Sequence, residues 1–149
     1  MKITFQRESA IDLRSLRFLV LWPHKNSIES CLLDVDFDAS TQHYSLRNDQ
    51  GEVVACCSLV ADPASFENYT FQVRLRAMAV HPNFRRYGLG KRLLEEAFKA
   101  YSTDSCWCDA REVAVAFYQR CGWRIVSEPF DIPQIGKHFK MVFIKKGGN

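Results

Sequence analysis

The chain has 149 residues, of which 47% are hydrophobic and 25% are charged, and its formal net charge at pH 7 is +3. This length suits one domain over residues 1–149 with a core of its own, and the composition excludes a disordered or low-complexity chain. A charge of +3 is too small to predict a nucleic-acid or membrane partner, and no apolar stretch reaches the ~18 residues of a membrane span.

Periodicity of the apolar residues predicts a mixed α/β fold with elements in the order β-α-β-β-β-α-β-α-β-β. The predicted strands cover residues 2–6, 43–47, 52–61, 69–81, 105–108, 123–127 and 138–145. The predicted helices run from Ser9 to before Pro23, over residues 86–101, and from Asp109 through Cys121.

Turn and capping residues separate these elements. Ser9 and Asp109 are predicted N-caps of the first and third helices, and the NDQG sequence of residues 48–51 predicts a hairpin turn. Residues 62–68 are predicted to form a second turn region. Hairpins make the first half of the sheet antiparallel, whereas the strand–helix–strand order of the second half predicts a parallel pair.

The six cysteines are interpreted as free thiols of a cytoplasmic protein. The N-terminal sequence has charges throughout and no apolar segment of signal-peptide length. Most of the cysteines lie in apolar runs, where a thiol packs as a small hydrophobic group. Cys106 and Cys108 lack the spacing of a zinc site, so no metal is expected.

Residues 24–42 show no periodicity and carry a run of four acids. These are Glu29, Asp34, Asp36 and Asp38. We interpret the run as a solvated loop face, with attraction of a cationic amine as the alternative.

Residues 76–92 (RAMAVHPNFRRYGLGKR) combine the end of a strand with a glycine-containing loop and a helix start. A helix N-terminus leaves backbone N–H groups unpaired, and Gly88 and Gly90 allow anion oxygens to approach the backbone. Cations crowd this end of the helix, against the preference of the helix dipole, and a bound polyanion would relieve that conflict. They are Arg85, Arg86, Lys91 and Arg92. The alternative is a capped helix with a solvated basic start.

Two common phosphate loops do not fit this segment. A Walker loop requires glycine where Arg85 stands and Ser or Thr where Arg92 stands. The dinucleotide fingerprint requires a third glycine where Leu93 stands.

The pattern Arg-x-x-Gly-x-Gly from Arg85 to Gly90, preceded by residues 78–82 (MAVHP), resembles the acetyl-CoA signature of the GNAT superfamily of N-acetyltransferases. Residues 109–123 (DAREVAVAFYQRCGW) are similar to the downstream motif of that family, one strand further on. The resemblance implies a single domain with splayed central parallel strands. It also implies transfer of an acetyl group from acetyl-CoA to a primary amine by direct attack.

The resemblance further implies roles for individual residues. Backbone groups of Met78, Ala79 and Val80 would contact the pantetheine arm and the thioester. The pyrophosphate would be held by Arg85, Arg86, Tyr87, Gly88, Leu89, Gly90 and Lys91. Phe117 and Arg120 would flank the CoA, and Tyr118 would be the general acid for the departing thiolate. The alternative for Tyr118 is a structural ring packed on Phe117.

The chain departs from the family pattern at two places. Many members carry glycine where Arg86 stands, and some carry a glutamate base on the signature strand, where this chain has Arg74 and Arg76. Water, Glu128 or Asp131 would have to replace that base, or the amine would have to bind already neutral. The base is left unassigned.

The acceptor is expected to be a small amine, a peptide N-terminus or a lysine. Possible acceptor contacts, each expected to be structural instead, are Trp22, His138 and Phe139. The competing function is a non-catalytic CoA-binding module. Nucleic-acid binding through residues 74–92 is not expected, since no recognition motif is present. The chain is expected to be a monomer or a homodimer.

Overall fold

The computed structural model describes residues 2–146, and its elements follow the predicted order with one additional strand. The strands are β1 (Thr4–Glu8), β2 (Gln42–Arg47), β3 (Val53–Phe66), β4 (Tyr69–Val80), β5 (Ser105–Arg111), β6 (Arg124–Ile125), β7 (Phe130–Ile132) and β8 (Gly136–Ile144). The helices are α1 (Arg14–Val20), α2 (Leu89–Tyr101) and α3 (Val115–Arg120). No helix among these residues is long and apolar enough to cross a membrane.

Hydrogen bonds join the strands into one mixed sheet, which confirms the predicted fold class. The strand order is β1-β2-β3-β4-β5-β8-β6, and β7 pairs with β8. The pairs β1–β2 and β2–β3 are antiparallel, as is β5–β8. β4 and β5 form the predicted parallel pair, with Arg74 opposite Trp107.

The residues group into two compact units. The first unit takes the chain up to Val60 together with Arg76–Ser102, and the second takes Ala61–Leu75 together with the chain from Thr103 onward. A buried cluster in the first unit consists of Leu13, Leu16, Cys56 and Ala79. A buried cluster in the second unit consists of Phe71, Trp107 and Val142.

The predicted turn over residues 62–68 is wrong, because β3 continues to Phe66 and the turn is confined to Glu67 and Asn68. Both turn residues have left-handed backbone angles, with φ of 53° and 67°. The pairing of β2 with β3 ends at Leu59, so Pro63 lies in a stretch where its missing N–H removes no bond to β2.

The predicted start of the second helix at Arg86 is also wrong. Arg86 and Gly88 both adopt left-handed angles, with φ of 74° and 71°, and no helix can pass through them. α2 therefore begins at Leu89. Ser9 is confirmed as an N-cap: its Oγ accepts a hydrogen bond from the backbone N of Ile11 at 3.2 Å, at the start of a 3-10 turn that leads into α1.

Asp109 is not the predicted helix cap. β5 continues through Arg111, and a 3-10 turn over Glu112–Ala114 precedes α3. The Asp109 carboxylate binds the side chains of Arg74 and Lys140. Those two charged partners take up both carboxylate oxygens.

The additional strand, β7, escaped prediction because it is only three residues long and lies between two prolines. It pairs with β8 through Phe130 opposite His138 and Ile132 opposite Gly136. Three residues are too few to show the alternation of apolar and polar side chains that distinguishes a strand from a loop. β6 is likewise shorter than predicted and covers Arg124–Ile125 alone.

The prediction of free, packed thiols is confirmed. None of the six cysteines forms a disulfide, and five of them are buried, with Cys121 half-buried. Burial raises the pKa of Cys56 to about 12 and raises the pKa values of Cys57 and Cys108 well above that of an ordinary thiol. These thiols remain protonated and unreactive in the folded chain.

A buried ion pair organises the first unit and corrects the interpretation of the acidic run. Arg17 on α1 and Asp36 in the long loop are both fully buried, and two hydrogen bonds of 2.7 and 3.0 Å join them. Arg17 also donates to the carbonyl of Cys31 at 3.2 Å and to Ser58 Oγ at 3.1 Å. Asp36 is therefore a structural anchor and not part of a solvated face.

The imidazole of His43 extends this network as a neutral ring. Its Nε2 lies 2.9 Å from the carbonyl oxygen of Asp36, which only accepts, so Nε2 carries the proton. Its Nδ1 lies 2.6 Å from Ser58 Oγ and accepts the hydroxyl proton. Burial lowers the pKa of His43 from its ordinary 6.5, and the charge of Arg17 acts in the same direction.

Replacing Asp36 with alanine should lower the free energy of unfolding by about 3–5 kcal/mol, because the Arg17 charge would stay buried without its partner. Asp38→Ala is the matched control, since Asp38 belongs to the same acidic run but is exposed. It should change the free energy of unfolding little. Urea denaturation of both variants checks this, and equal losses would show that the ion pair does not hold the loop.

The stability of the protein should fall as the pH drops below about 6.5. The pKa of His43 is lower in the folded chain, so the unfolded chain binds a proton first. Neutral His43 makes its full contribution to the free energy of unfolding when the pH is above the ordinary histidine pKa of 6.5. That contribution is lost as the pH falls below this value. His43→Gln should reduce the stability difference between about pH 7.5 and about pH 5.5 in urea unfolding, whereas a substitution at the exposed His24 should leave that difference intact.

Candidate functional site

The loop that follows β4 is fixed by its own residues. One 3-10 turn spans Pro82–Phe84, and His81 Nδ1 accepts a hydrogen bond from the backbone N of Asn83 at 3.1 Å. The backbone N of His81 donates to the carbonyl of Val54 at 2.8 Å. The histidine and proline of the signature thus turn the chain sharply at the end of the strand.

No side chain among residues 2–146 caps the N-terminus of α2. Gly88 occupies the N-cap position with a left-handed backbone, and the first turn of the helix contains no acidic residue. A Cβ atom at Gly88 would find no other atom within 4 Å, so the space beside it is open. Leu89 and Gly90 are buried against the core and begin the helix. This end of the helix presents positive partial charge to open space.

Exposed cations surround this helix end. Arg85 is exposed, and its Nε donates to the carbonyl of Val80 at 3.3 Å. Arg92 is directed elsewhere, since it binds Glu96 at 2.9 Å and the carbonyl of Ile3 at 3.0 Å. The other exposed side chains of the loop and first turn are Arg86, Tyr87 and Lys91. The loop brings three cations together with no acid among them, which suits a polyanion.

The three strand residues predicted to contact the pantetheine arm follow an irregularity that the sequence did not reveal. Ala77 has a φ of 52°, a left-handed angle that an alanine in a strand seldom adopts. Its carbonyl accepts a hydrogen bond from Cys56 Sγ at 3.7 Å. After it, Ala79 is buried while Met78 and Val80 are half-buried. Alanine carries no sequence signal for such an angle.

The predicted residues of α3 belong to the second unit. Tyr118 is buried, and its ring centroid lies 5.2 Å from that of Phe117 and 5.1 Å from that of Trp123. Its backbone carbonyl accepts from the N–H groups of Cys121 and Trp123, both at 3.0 Å. Arg120 is exposed. The packing fixes the tyrosine ring whether or not the phenol takes part in chemistry.

A cluster of charged side chains in the second unit surrounds Arg74 of β4. Arg74 donates to Asp109 Oδ2 at 2.8 Å and to Asp62 Oδ2 at 3.3 Å, and Lys140 donates to Asp109 Oδ1 at 2.8 Å. The indole of Trp107 lies beneath both cations, 4.7 Å from the Arg74 guanidinium and 5.2 Å from Lys140 Nζ. The parallel pairing of β4 with β5 was the sequence signal for this cluster, because Trp107 and Asp109 share one face of β5.

The other candidates, for acceptor contacts and for the base, differ in how far they are buried. Trp22 and His138 are buried, as expected of structural residues, and His138 Nδ1 donates to the carbonyl of Gly136 at 2.7 Å. Glu128 and Asp131 are exposed. In the part of the chain from 2 to 146, no group of three or more His, Cys, Asp or Glu side chains is placed to hold a metal ion.

Comparisons with known proteins find a matching family model, a related sequence and solved structures of similar fold. The family model "Acetyltransferase (GNAT) domain" matches residues 39–125. The uncharacterized N-acetyltransferase YitI of Bacillus subtilis (strain 168) is 30% identical over 136 residues, which cover 89% of this chain and 90% of that protein. Escherichia coli ElaA superposes with a TM-score of 0.73 at 17% identity, covering 95% of this chain and 99% of that one. An aminoglycoside 6′-N-acetyltransferase complexed with coenzyme A gives 0.70 at 14% identity, covering 98% and 99%.

Proposed function

Because the chain belongs to the GNAT family of N-acetyltransferases, we propose that it moves the acetyl group of acetyl-CoA to a primary amine. The acceptor is a small molecule, a peptide or a protein, and residues 1–149 act as a single acetyltransferase domain. The amine nitrogen attacks the thioester carbon directly and loses one proton to water, Glu128 or Asp131. The carbon–sulfur bond breaks, and the thiolate leaves with a proton from the enzyme.

The observation that carries the proposal is the uncapped, acid-free start of α2. A side chain would normally cap such a helix end, and acids would normally occupy its first turn. Here Gly88 leaves open space and the neighbouring Arg85, Arg86 and Lys91 are exposed. A pyrophosphate supplies the negative charge and the hydrogen-bond acceptors that this arrangement lacks. Backbone N–H groups over residues 86–91 would hold it, with Tyr87 beside it.

The strand residues Met78, Ala79 and Val80 would hold the pantetheine arm and the thioester carbonyl through their backbone groups. The left-handed Ala77 interrupts the regular strand immediately before them. Such an interruption re-aims the following backbone groups. A fixed backbone donor stabilises the charge that develops on the carbonyl oxygen without reorganisation during the reaction.

Tyr118 is proposed as the general acid for the thiolate, with Phe117 and Arg120 flanking the CoA. Its buried ring is held between Phe117 and Trp123, so the phenol is confined to one orientation.

We also propose a cytoplasmic location. None of the six cysteines has formed a disulfide. A reducing compartment keeps thiols in this state.

Gly88→Leu should weaken acetyl-CoA binding by about tenfold or more, since a side chain there would occupy the space left for the phosphates. Gly51→Leu is the matched control. Gly51 has a similar φ of 78°, also faces open space, and lies in the β2–β3 hairpin, so both variants carry the same backbone strain of about 1–2 kcal/mol. Isothermal calorimetry should show the loss of affinity at Gly88 alone, and retained affinity there would place the pyrophosphate elsewhere.

Tyr118→Phe should lower the rate of CoA release by about a hundredfold or more while acetyl-CoA affinity is kept, because the ring packing survives and only the proton is lost. The assay follows the thiol product over a panel of amines. Tyr69→Phe, on the exposed Tyr69 of the same unit, should leave the rate unchanged. An unchanged rate at Tyr118→Phe would remove Tyr118 as the acid. Binding without any turnover by the parent would mean a CoA-binding module.

A further inference from the structure

We propose that the charged cluster of Asp62, Arg74, Trp107, Asp109 and Lys140 is the acceptor subsite, and that it selects amines that also carry a carboxylate, as α-amino acids do. The inference rests on the proposed acetyl transfer and names the substrate class of that reaction.

The cluster forms a row of alternating charge with a closed middle and two open ends. Asp109 is only 14% exposed, and both of its oxygens are occupied by Arg74 and Lys140. Asp62 and Lys140, at the ends of the row, are 43% and 34% exposed. An accessible carboxylate and an accessible ammonium therefore face solvent from one cluster.

Trp107 holds both ends of the row in place. Its Nε1 donates to the carbonyl of Asp62 at 2.7 Å, and its ring lies 5.2 Å from Lys140 Nζ. Lys140 Nζ also lies 4.9 Å from the ring of Phe130. A lysine held by two rings and a carboxylate has lost much of its side-chain freedom before a ligand arrives, which lowers the entropic cost of binding.

Donor groups remain unused on the cationic side. Asp109 takes one of the three Lys140 N–H bonds, and the Lys140 side chain is 34% exposed, so its ammonium group is open to a ligand. Arg74 Nε also lacks a hydrogen-bond partner among the residues that the structure describes, but this atom is buried. A carboxylate supplies the negative charge that an ammonium group binds best. The anionic half of the ligand is therefore assigned to Lys140.

The balance of charge excludes a plain cation as the preferred ligand. Two carboxylates and two cations make the cluster neutral. The attraction of a polyamine to Asp62 is therefore offset by its repulsion from Lys140. A zwitterion binds with its ammonium group at Asp62 and its carboxylate at Lys140, and the ammonium group loses a proton to a base before its nitrogen attacks. Arg74 also lies on β4, four residues before Met78, so this one member of the cluster shares a strand with the proposed pantetheine contacts.

The test compares matched acceptors that differ only in the carboxylate, such as L-phenylalanine with phenethylamine and L-methionine with 3-(methylthio)propylamine, within a panel of the common L-amino acids. The parent should show a kcat/KM about tenfold or more higher for an amino acid than for its decarboxylated partner. Lys140→Gln should raise KM for the amino acid and remove that preference. Lys140→Arg should keep it.

Lys137→Gln is the matched control, because Lys137 lies on the same strand, is exposed, and pairs with Glu112 outside the cluster. Its kinetics should equal those of the parent. A parent that acetylates the decarboxylated amines as well as the amino acids would overturn this inference and leave the proposed acetyl transfer standing.

Calorimetric titration with amino acids distinguishes a failure of the proposed function from a failure of the proposed acceptor subsite. If acetyl-CoA does not bind, the proposed function fails; amino-acid binding that is lost in Lys140→Gln would still support the subsite. If acetyl-CoA binds but the parent and Lys140→Gln bind the panel of amino acids with equal affinity, or not at all, the subsite is wrong and the acetyl-CoA loop is unaffected.

Discussion

The first unit depends on the burial of one charge. Arg17 has no exposed side-chain surface, and a guanidinium in that position must be neutralised and hydrogen-bonded. Its partners come from the long loop, through Asp36 and the Cys31 carbonyl, and from β3, through Ser58. A segment without hydrophobic periodicity is thereby held in one conformation. The strand β2 joins the same network through His43, so helix, loop and sheet share a single polar centre.

Each unit contains a charge network, and their exposure distinguishes their roles. In the first unit the ion pair is enclosed on all sides, so removing a partner affects stability and no ligand can reach it. In the second unit the row from Asp62 to Lys140 is closed only in the middle. Exposed ion pairs add little to stability, so an ordered row at the surface is better suited to recognition. Similar residues therefore serve packing in one place and binding in the other.

The sequence was sufficient for the fold class and the parallel pair, because both depend on the periodicity of apolar residues and on the order of the elements. It was insufficient where a residue is defined by a distant partner. Asp36 is the same residue type as Asp34 and Asp38, and only Arg17, nineteen positions away, makes it a buried anchor. Ala77 has a left-handed angle that its side chain does not favour, and the three residues of β7 are too few to show alternation.

The buried cysteines have a practical consequence for following this protein in solution. Thiol reagents attack thiolates, and burial keeps Cys56, Cys57 and Cys108 protonated and shielded in the folded chain. A chromogenic disulfide reagent therefore reports released CoA immediately, with little background from the thiols of the enzyme. The half-buried Cys121 is the source of the remaining background. When the chain opens, the hidden thiols become reactive together. The same reagent then measures the rate of unfolding without an added label.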